Sequence, residues 1–132
     1  MGKNADTVKA IYDAFGKGDV PAVLGAFDTQ IHWQEAESFL YADRNPYVGP
    51  QAVAEGVFQR IVSDLGNFAV VPQHYIEGGD AVVVEGRYKG TAKATGAPID
   101  AQFVHVWELH DGKVVRFQQY TDTLQWARAL EA

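Results

Sequence analysis

The feature that most constrains this chain is a change of hydrophobic period near Asn67. Before it, apolar residues recur at helical spacing. After it they alternate, in runs separated by the turn pairs Gly78-Gly79, Thr95-Gly96 and Asp111-Gly112. At 132 residues the chain is a single domain, 1–132, with one sizeable core. The helices of the first half must therefore cover the sheet of the second, which predicts an α+β domain whose later strands form an antiparallel meander.

Val8, Ile11, Tyr12 and Phe15 predict the first helix, with Asp6 or Thr7 as N-cap and Gly16 and Gly18 as stops. Asp19 is the expected cap of a short second helix that has Pro21 in its first turn and runs through Phe27. A strand over about 30–35 follows. The segment from Ala36 to Gly49 has loop character but holds Phe39, Leu40, Tyr41 and Tyr47; so long a loop is expected to be a lid or disordered. Pro50 opens a third helix with Val53, Val57, Ile61 and Leu65 on one stripe, and Leu124, Ala127 and Leu130 mark a short C-terminal helix.

Treating each turn pair as a two-residue hairpin fixes the registers. Gly86 then faces His105, Tyr88 faces Phe103 and Gly90 faces Ala101; His105 faces Gln118, Phe103 faces Tyr120 and Ala101 faces Asp122. One sheet face carries Val82, Val84, Tyr88, Phe103, Trp107, Gln118 and Tyr120 with the two glycines, a mixture expected to leave a cavity. The other carries Val104, Val106, Val115 and Phe117 among Glu85, Arg87, Gln102 and Gln119. Its partly apolar character predicts packing on a second copy, a homodimer through the outer sheet face.

Three polar residues interrupt the apolar face. In Ile31-His32-Trp33-Gln34-Glu35 the alternation sends Glu35 to the side of Ile31 and Trp33. His105 is the polar member of Ala101, Phe103, His105, Trp107 and Leu109, and Asp122 ends the stripe of Gln118 and Tyr120. A buried unpaired charge is costly, so each of these either pairs, stays neutral through a shifted pKa, or meets solvent. Glu35 is either a buried acid or the first exposed residue of the loop. His105 is either a satisfied core histidine or a site residue, and Asp122 is the N-cap of the last helix, a catalyst, or both. In the simple register Asp122 lies roughly 13 Å along the strand from the point opposite His105.

Composition narrows the function classes. Eleven basic against 17 acidic residues, a formal net charge of −6, is the wrong sign for a nucleic-acid surface. With no cysteine, disulfide and thiolate chemistry are excluded. No signal peptide or bilayer-spanning run is recognisable, which predicts a cytoplasmic protein without a membrane partner. GxxxxGK[ST], GxGxxG and HExxH are absent, and His32, His74 and His110 show no metal-ligand spacing, so neither cofactor nor metal is expected.

The order I-Y-D-A-F, G-K-G-D, A-F-D, I-H-W, Y-V-G-P and F-V-H-V-W-E-L-H-D-G-K-V-V-R-F-Q-Q-Y-T-D-T resembles the SnoaL-like group over essentially the whole chain. These proteins are relatives of ketosteroid isomerase in the nuclear-transport-factor-two-like superfamily, and residues 103–123 are the most specific stretch. The resemblance implies a cone-shaped, curved, antiparallel sheet with a mixed edge, three N-terminal-half helices enclosing an apolar pocket, and usually a dimer. It places Glu35 where the isomerases carry their proton-abstracting acid. His105 falls where they carry an oxyanion-hole acid, in preference to Asp100, and Asp122 where the polyketide cyclases carry an acid/base group. Tyr12 lies one residue from the isomerase oxyanion tyrosine. Phe103 occupies the place of the arginine used by epoxide hydrolases of this group, which argues against that reaction.

The expected function is a cofactor-free acid/base enzyme acting on a small apolar carbonyl compound by proton transfer of the isomerase or cyclase type. Glu35, His105 and Asp122 are the candidate catalytic residues; Tyr12, Trp33, Tyr47, Tyr88, Phe103, Trp107, Gln118 and Tyr120 are the candidate ligand-binding residues. The alternative is a binding protein that holds a lipid-like or aromatic ligand in the same pocket without turning it over.

Overall fold

In a computed structural model that describes residues 2–131, α1 (Lys3–Gly16) begins earlier than its apolar stripe suggests, with Gly2 at the N-cap. Ala5, fully buried, extends the core-facing stripe by a turn toward the N-terminus. Asp19 caps α2 (Val20–Gly25) as expected, accepting from the Ala22 N–H at 3.2 Å. The strand β1 (Phe27–Gln34) then pairs with the two-residue β2 (Tyr47–Val48). The third helical rod is α3 (Pro50–Val53), a π turn over Ala54–Phe58, and α4 (Gln59–Asp64). Leu65 belongs not to its stripe but to the start of β3 (Leu65–Gly78). The meander continues through β4 (Ala81–Ala92), β5 (Pro98–His110) and β6 (Lys113–Thr121), and α5 (Thr123–Glu131) closes the described chain.

The sheet is ordered β2-β1-β6-β5-β4-β3. β1 runs parallel to β6 and every other pair is antiparallel, so the expected mixed-edge α+β architecture is present and the sheet is not closed. The helices lie over one face, where Val8, Ile31, Val53, Val82, Val84, Trp107 and Trp126 are buried.

Two register details depart from the simple hairpins. The β4–β5 connection is longer than two residues: Ala92 accepts from Gly96 and donates to the Ala97 carbonyl, both at 2.8 Å. Gly86 therefore faces Phe103 and Tyr88 faces Ala101, a slip by two that leaves every side chain on its expected face. In the β5–β6 hairpin, Asp111 and Gly112 both have positive φ, as a two-residue turn requires. His110 pairs with Lys113 and Leu109 with Val114, but Glu108 then pairs with Arg116, so Val115 is an extra, bulged residue. Beyond it His105 faces Gln119 and Phe103 faces Thr121. This slip by one inverts the faces: Phe117 and Gln119 turn inward, while Gln118, Tyr120 and Asp122 turn outward.

The strand glycines also differ from expectation. A methyl group on Gly86 would collide with the Val71 carbonyl oxygen and the Phe103 ring. On Gly90 it would meet the Gly66 carbonyl oxygen at 3.3 Å and Phe68 Cα at 3.4 Å. These glycines admit the irregular backbone of β3 and a ring, and do not leave open space. Gly86→Ala is therefore expected to destabilise the protein by about 1–3 kcal/mol in urea titrations, since a backbone oxygen cannot step aside. Gly90→Ala should cost less, and equal costs at the two positions would contradict this account.

Candidate functional site

β1 carries Trp33 toward the helices, Glu35 follows directly after its last residue, and the segment beyond holds Glu35 in place. The Glu35 N–H donates to Asn45 Oδ1 at 3.0 Å, and Asn45 Nδ2 donates back to the Glu35 carbonyl at 2.9 Å. The segment 36–49 is accordingly a packed part of the domain: Ala36, Phe39, Tyr41 and Tyr47 are all buried. Arg60 on α4 ties it down through both oxygens of Asp43, at 2.6 and 3.1 Å, and Tyr41 donates to Asp64 at 2.7 Å.

The Glu35 side chain is 2% exposed. Trp33 Nε1 donates to its Oε1 at 3.1 Å, and Oε2 has no partner among the described residues. Burial, opposed by the Trp33 hydrogen bond and then by the Arg60 charge, lifts this carboxyl to about 7. Oε1 accepts from Trp33, so in the acid form the proton resides on Oε2. Glu35 thus offers a proton or a lone pair at the same point.

His105 is buried between two tyrosines. Its Nδ1 lies 2.7 Å from the Tyr12 hydroxyl and its Nε2 lies 2.5 Å from that of Tyr88. The Phe103 ring stacks on the imidazole at 3.9 Å between centroids. Burial holds the imidazole well below its ordinary pKa, so it is neutral. Tyr12 also accepts from Trp107 Nε1, and Tyr88 from Gln119 Nε2, both at 2.9 Å. A neutral imidazole has one N–H and one bare nitrogen, so one tyrosine donates to it and the other accepts from it. The accepting tyrosine already has a second donor, and its own hydroxyl hydrogen finds no acceptor among the described residues. The chain therefore always keeps one free O–H, at Tyr12 or at Tyr88 according to the tautomer. Burial, followed by the Glu35 charge, raises the Tyr88 pKa well above its usual value, so the hydroxyl stays protonated within the electrostatic reach of the acid.

These groups line one apolar cavity of about 60 Å³ that contains Tyr12, Trp33, Glu35, Tyr88, His105 and Trp107. Other expected site residues lie elsewhere. Phe103 backs His105 and does not line the cavity, and the Tyr47 hydroxyl is taken up by the Tyr41 carbonyl and Arg60. Gln118 and Tyr120 face outward, with Tyr120 53% exposed. Asp122 is exposed, lies outside the lining of this cavity and accepts from the Gln125 N–H at 3.3 Å, as a cap of the last helix does. Gln119, expected outside, is the inward residue: it takes the Ala36 N–H on Oε1 at 3.2 Å while donating to Tyr88. Phe39, Phe58, Phe68, Phe117 and Trp126 complete walls that sequence reasoning did not assign to the site.

Residues 8–117 match the SnoaL-like domain. The chain belongs to the SnoaL-like family. A search of curated proteins finds no match. Among solved structures, an NTF2-like protein from Burkholderia thailandensis is 30% identical, with 98% of each chain covered and a TM-score of 0.91. An NTF2-like protein of unknown function from Burkholderia pseudomallei is 28% identical over 100% of both chains, also at 0.91. TerC, co-crystallised with polyporic acid, is 26% identical over 99% of this chain and 100% of its own, with a TM-score of 0.88. Among the described residues of this SnoaL-like protein, no helix is long and apolar enough to cross a membrane.

The raised carboxyl carries a stability signature. Between 4.5, its ordinary value, and about 7 the folded protein holds a proton on Glu35 that the unfolded chain releases. Its contribution is thus fully present below that window and is lost as pH rises through about 7, with a swing on the order of 3 kcal/mol. His105 acts oppositely: its contribution is present above 6.5 and is lost as pH falls toward its depressed folded value. Both Glu35→Gln and the parent share the histidine, so their difference isolates the acid. The variant should gain stability relative to the parent in urea titrations from about pH 5 to about pH 8, and a pH-independent difference would refute the buried titration.

Proposed function

We propose that this SnoaL-like protein is an acid/base enzyme that moves a proton on a small, largely apolar carbonyl compound. The observation that carries the reading is the Glu35 carboxyl, buried in an apolar cavity, near neutrality in pKa, with Oε2 unpartnered. As carboxylate, Glu35 takes a proton from the carbon next to the carbonyl. The electron pair moves onto the carbonyl oxygen, where the free tyrosine hydroxyl of the Tyr12–His105–Tyr88 chain donates to it. Glu35 then returns the proton to carbon, at the same or a conjugated position. His105 acts here as a positioning residue that dictates which tyrosine is free, and Asp122 has no part in the step. Family membership supports this class of chemistry, while the fold alone hosts many others.

The cavity bears on the rival reading of a passive carrier. At about 60 Å³ it is well under the ~150 Å³ of an engineered cavity that admits benzene, so a lipid-like or aromatic guest requires side chains to move. A ketone the size of acetone asks less of it, and one the size of cyclopentanone, which matches benzene in bulk, asks for a similar movement. The outer sheet face is a separate matter: Tyr120 and Ile76, 53% and 49% exposed, stand beside Val104 and Val106. This composition supports packing of a second copy there, as the sequence suggested, although through Tyr120 and Gln118 and not through Phe117.

Deuterium incorporation next to the carbonyl of small ketones in heavy water, followed by NMR, tests the activity. Protein-dependent exchange should rise with pH through about 7 as Glu35 ionises, and Glu35→Gln should lower it by about 10²–10⁴-fold. Full exchange in that variant would remove Glu35 from the mechanism. For the assembly, light scattering should report a dimer that Tyr120→Glu converts to monomer, and a monomeric parent at micromolar concentration would exclude the interface.

A further inference from the structure

Trp126 is a buried polar group that this mechanism does not use. It sits on α5, is 1% exposed and lines the same cavity as Glu35, yet its Nε1–H finds no acceptor among the described residues. The other two indoles are both satisfied: Trp33 donates to Glu35 and Trp107 to Tyr12. Leaving a donor unpaired in an apolar interior costs on the order of 1–3 kcal/mol, and nothing in the packing of Trp126 requires a donor there. Its contacts are aromatic: the rings of Phe39, Tyr88 and Phe68 lie 5.0, 5.4 and 6.0 Å away between centroids. A phenylalanine would make contacts of that kind without the polar penalty.

Two residues that line the cavity therefore carry buried, unpartnered polar atoms of different character. Glu35 Oε2 exchanges a proton, whereas an indole N–H only donates, at every pH. Tyr88, one of the two tyrosines able to present a free hydroxyl, meets the Trp126 ring edge-on. An sp² oxygen has two lone pairs, and donors from two neighbouring rings can fill both.

We propose that Trp126 Nε1 is a ligand-binding donor which, beside the Tyr88 hydroxyl, receives the carbonyl oxygen of a compact apolar ligand whose adjacent carbon faces Glu35. The inference rests on the reading above for its ligand class and adds a specificity determinant from the C-terminal helix. The site selects for one acceptor oxygen on an otherwise apolar body and rejects hydrocarbons of the same shape. Ligand binding at the Tyr88 side also selects the His105 tautomer in which Nε2–H donates to Tyr88 and Tyr12 donates to Nδ1.

Cyclopentanone and methylenecyclopentane, alike in shape and different in the acceptor, serve as probes of the ¹⁵N-labelled protein, in which three indole N–H signals report separately. Cyclopentanone should move the Trp126 indole proton downfield on saturation, while methylenecyclopentane leaves it near its free position. Trp126→Phe, which assigns the signal, should weaken cyclopentanone binding by about 3- to 10-fold, as loss of one hydrogen bond does, and change methylenecyclopentane binding by less than about 2-fold. Cyclopentanone binding that shifts the Trp33 signal but not that of Trp126 would overturn the proposal, as would no binding of cyclopentanone up to its solubility. If the variant fails to fold, nuclear Overhauser contacts to the Phe39 and Phe68 rings assign the Trp126 signal, and its shift in the parent protein decides alone. The shift with no deuterium exchange would retire the proton-transfer reading and leave Trp126 as a binding donor; exchange without the shift would do the reverse.

Discussion

The structure turns on a carboxyl group that the fold keeps out of water. Nothing in the side chain of Glu35 favours this: its one partner among the described residues, Trp33, is a neutral donor, and Arg60 acts on it only through space. What holds it is the backbone. β1 is paired on both sides, to β2 and to β6, and beyond its last residue the amide of Asn45 satisfies the N–H and the carbonyl of Glu35 together. The side chain is thereby directed inward whatever its charge, and the protein answers by lifting the pKa instead of moving the group. The segment 36–49 matters for the same reason, because it carries Asn45 and is clamped to α4 by Arg60 and Tyr41.

His105 is the counterpart of that acid. Burial drives the two groups in opposite directions, Glu35 toward the protonated form and the imidazole away from it, so below about pH 7 both are largely uncharged and near neutrality Glu35 is poised between its two forms. A cavity lined by Phe, Trp and Tyr favours the neutral form of each. The consequence is a site with almost no fixed charge but two movable hydrogens: one on Glu35, and one hydroxyl hydrogen that the histidine assigns to Tyr12 or Tyr88. Proton chemistry in such a place is governed by hydrogen-bond counting more than by ion pairing.

Much of this was legible in the sequence, and the reason is periodicity. The switch from helical spacing to alternation near Asn67 specified the two-layer architecture, and alternation alone put Trp33 with Glu35, and Tyr88 with His105 and Trp107, on the covered face. Those inferences tolerate errors of two residues, which is why the longer connection between β4 and β5 left them intact. The family resemblance likewise pointed to Glu35 and His105, which line one cavity. What the sequence concealed depended on single-residue events. Asn45 lies in a segment without periodicity, so its grip on Glu35 could not be inferred from spacing. Trp126 followed a cap-like Asp122 on a helix read only for Leu124, Ala127 and Leu130.

The bulge at Val115 shows how sharply one such event discriminates. Without it, Gln118, Tyr120 and Asp122 would face the cavity, and Asp122 would bring a second carboxylate toward the apolar site. With it, Gln119 faces inward, and an amide can do what a carboxylate cannot: it accepts the Ala36 N–H on one atom and donates to Tyr88 with the other. A carboxylate there would accept from both groups, drawing the tyrosine hydrogen away from His105 and adding a charge beside Glu35. The adjacent valines of Val114-Val115, followed by Phe117, are the trace of this in the sequence: Val114 and Phe117 are both buried three residues apart, a spacing that uninterrupted alternation forbids. An inserted residue that reads as a defect of the strand thus keeps the site down to one titratable acid and one neutral hydrogen-bonded chain.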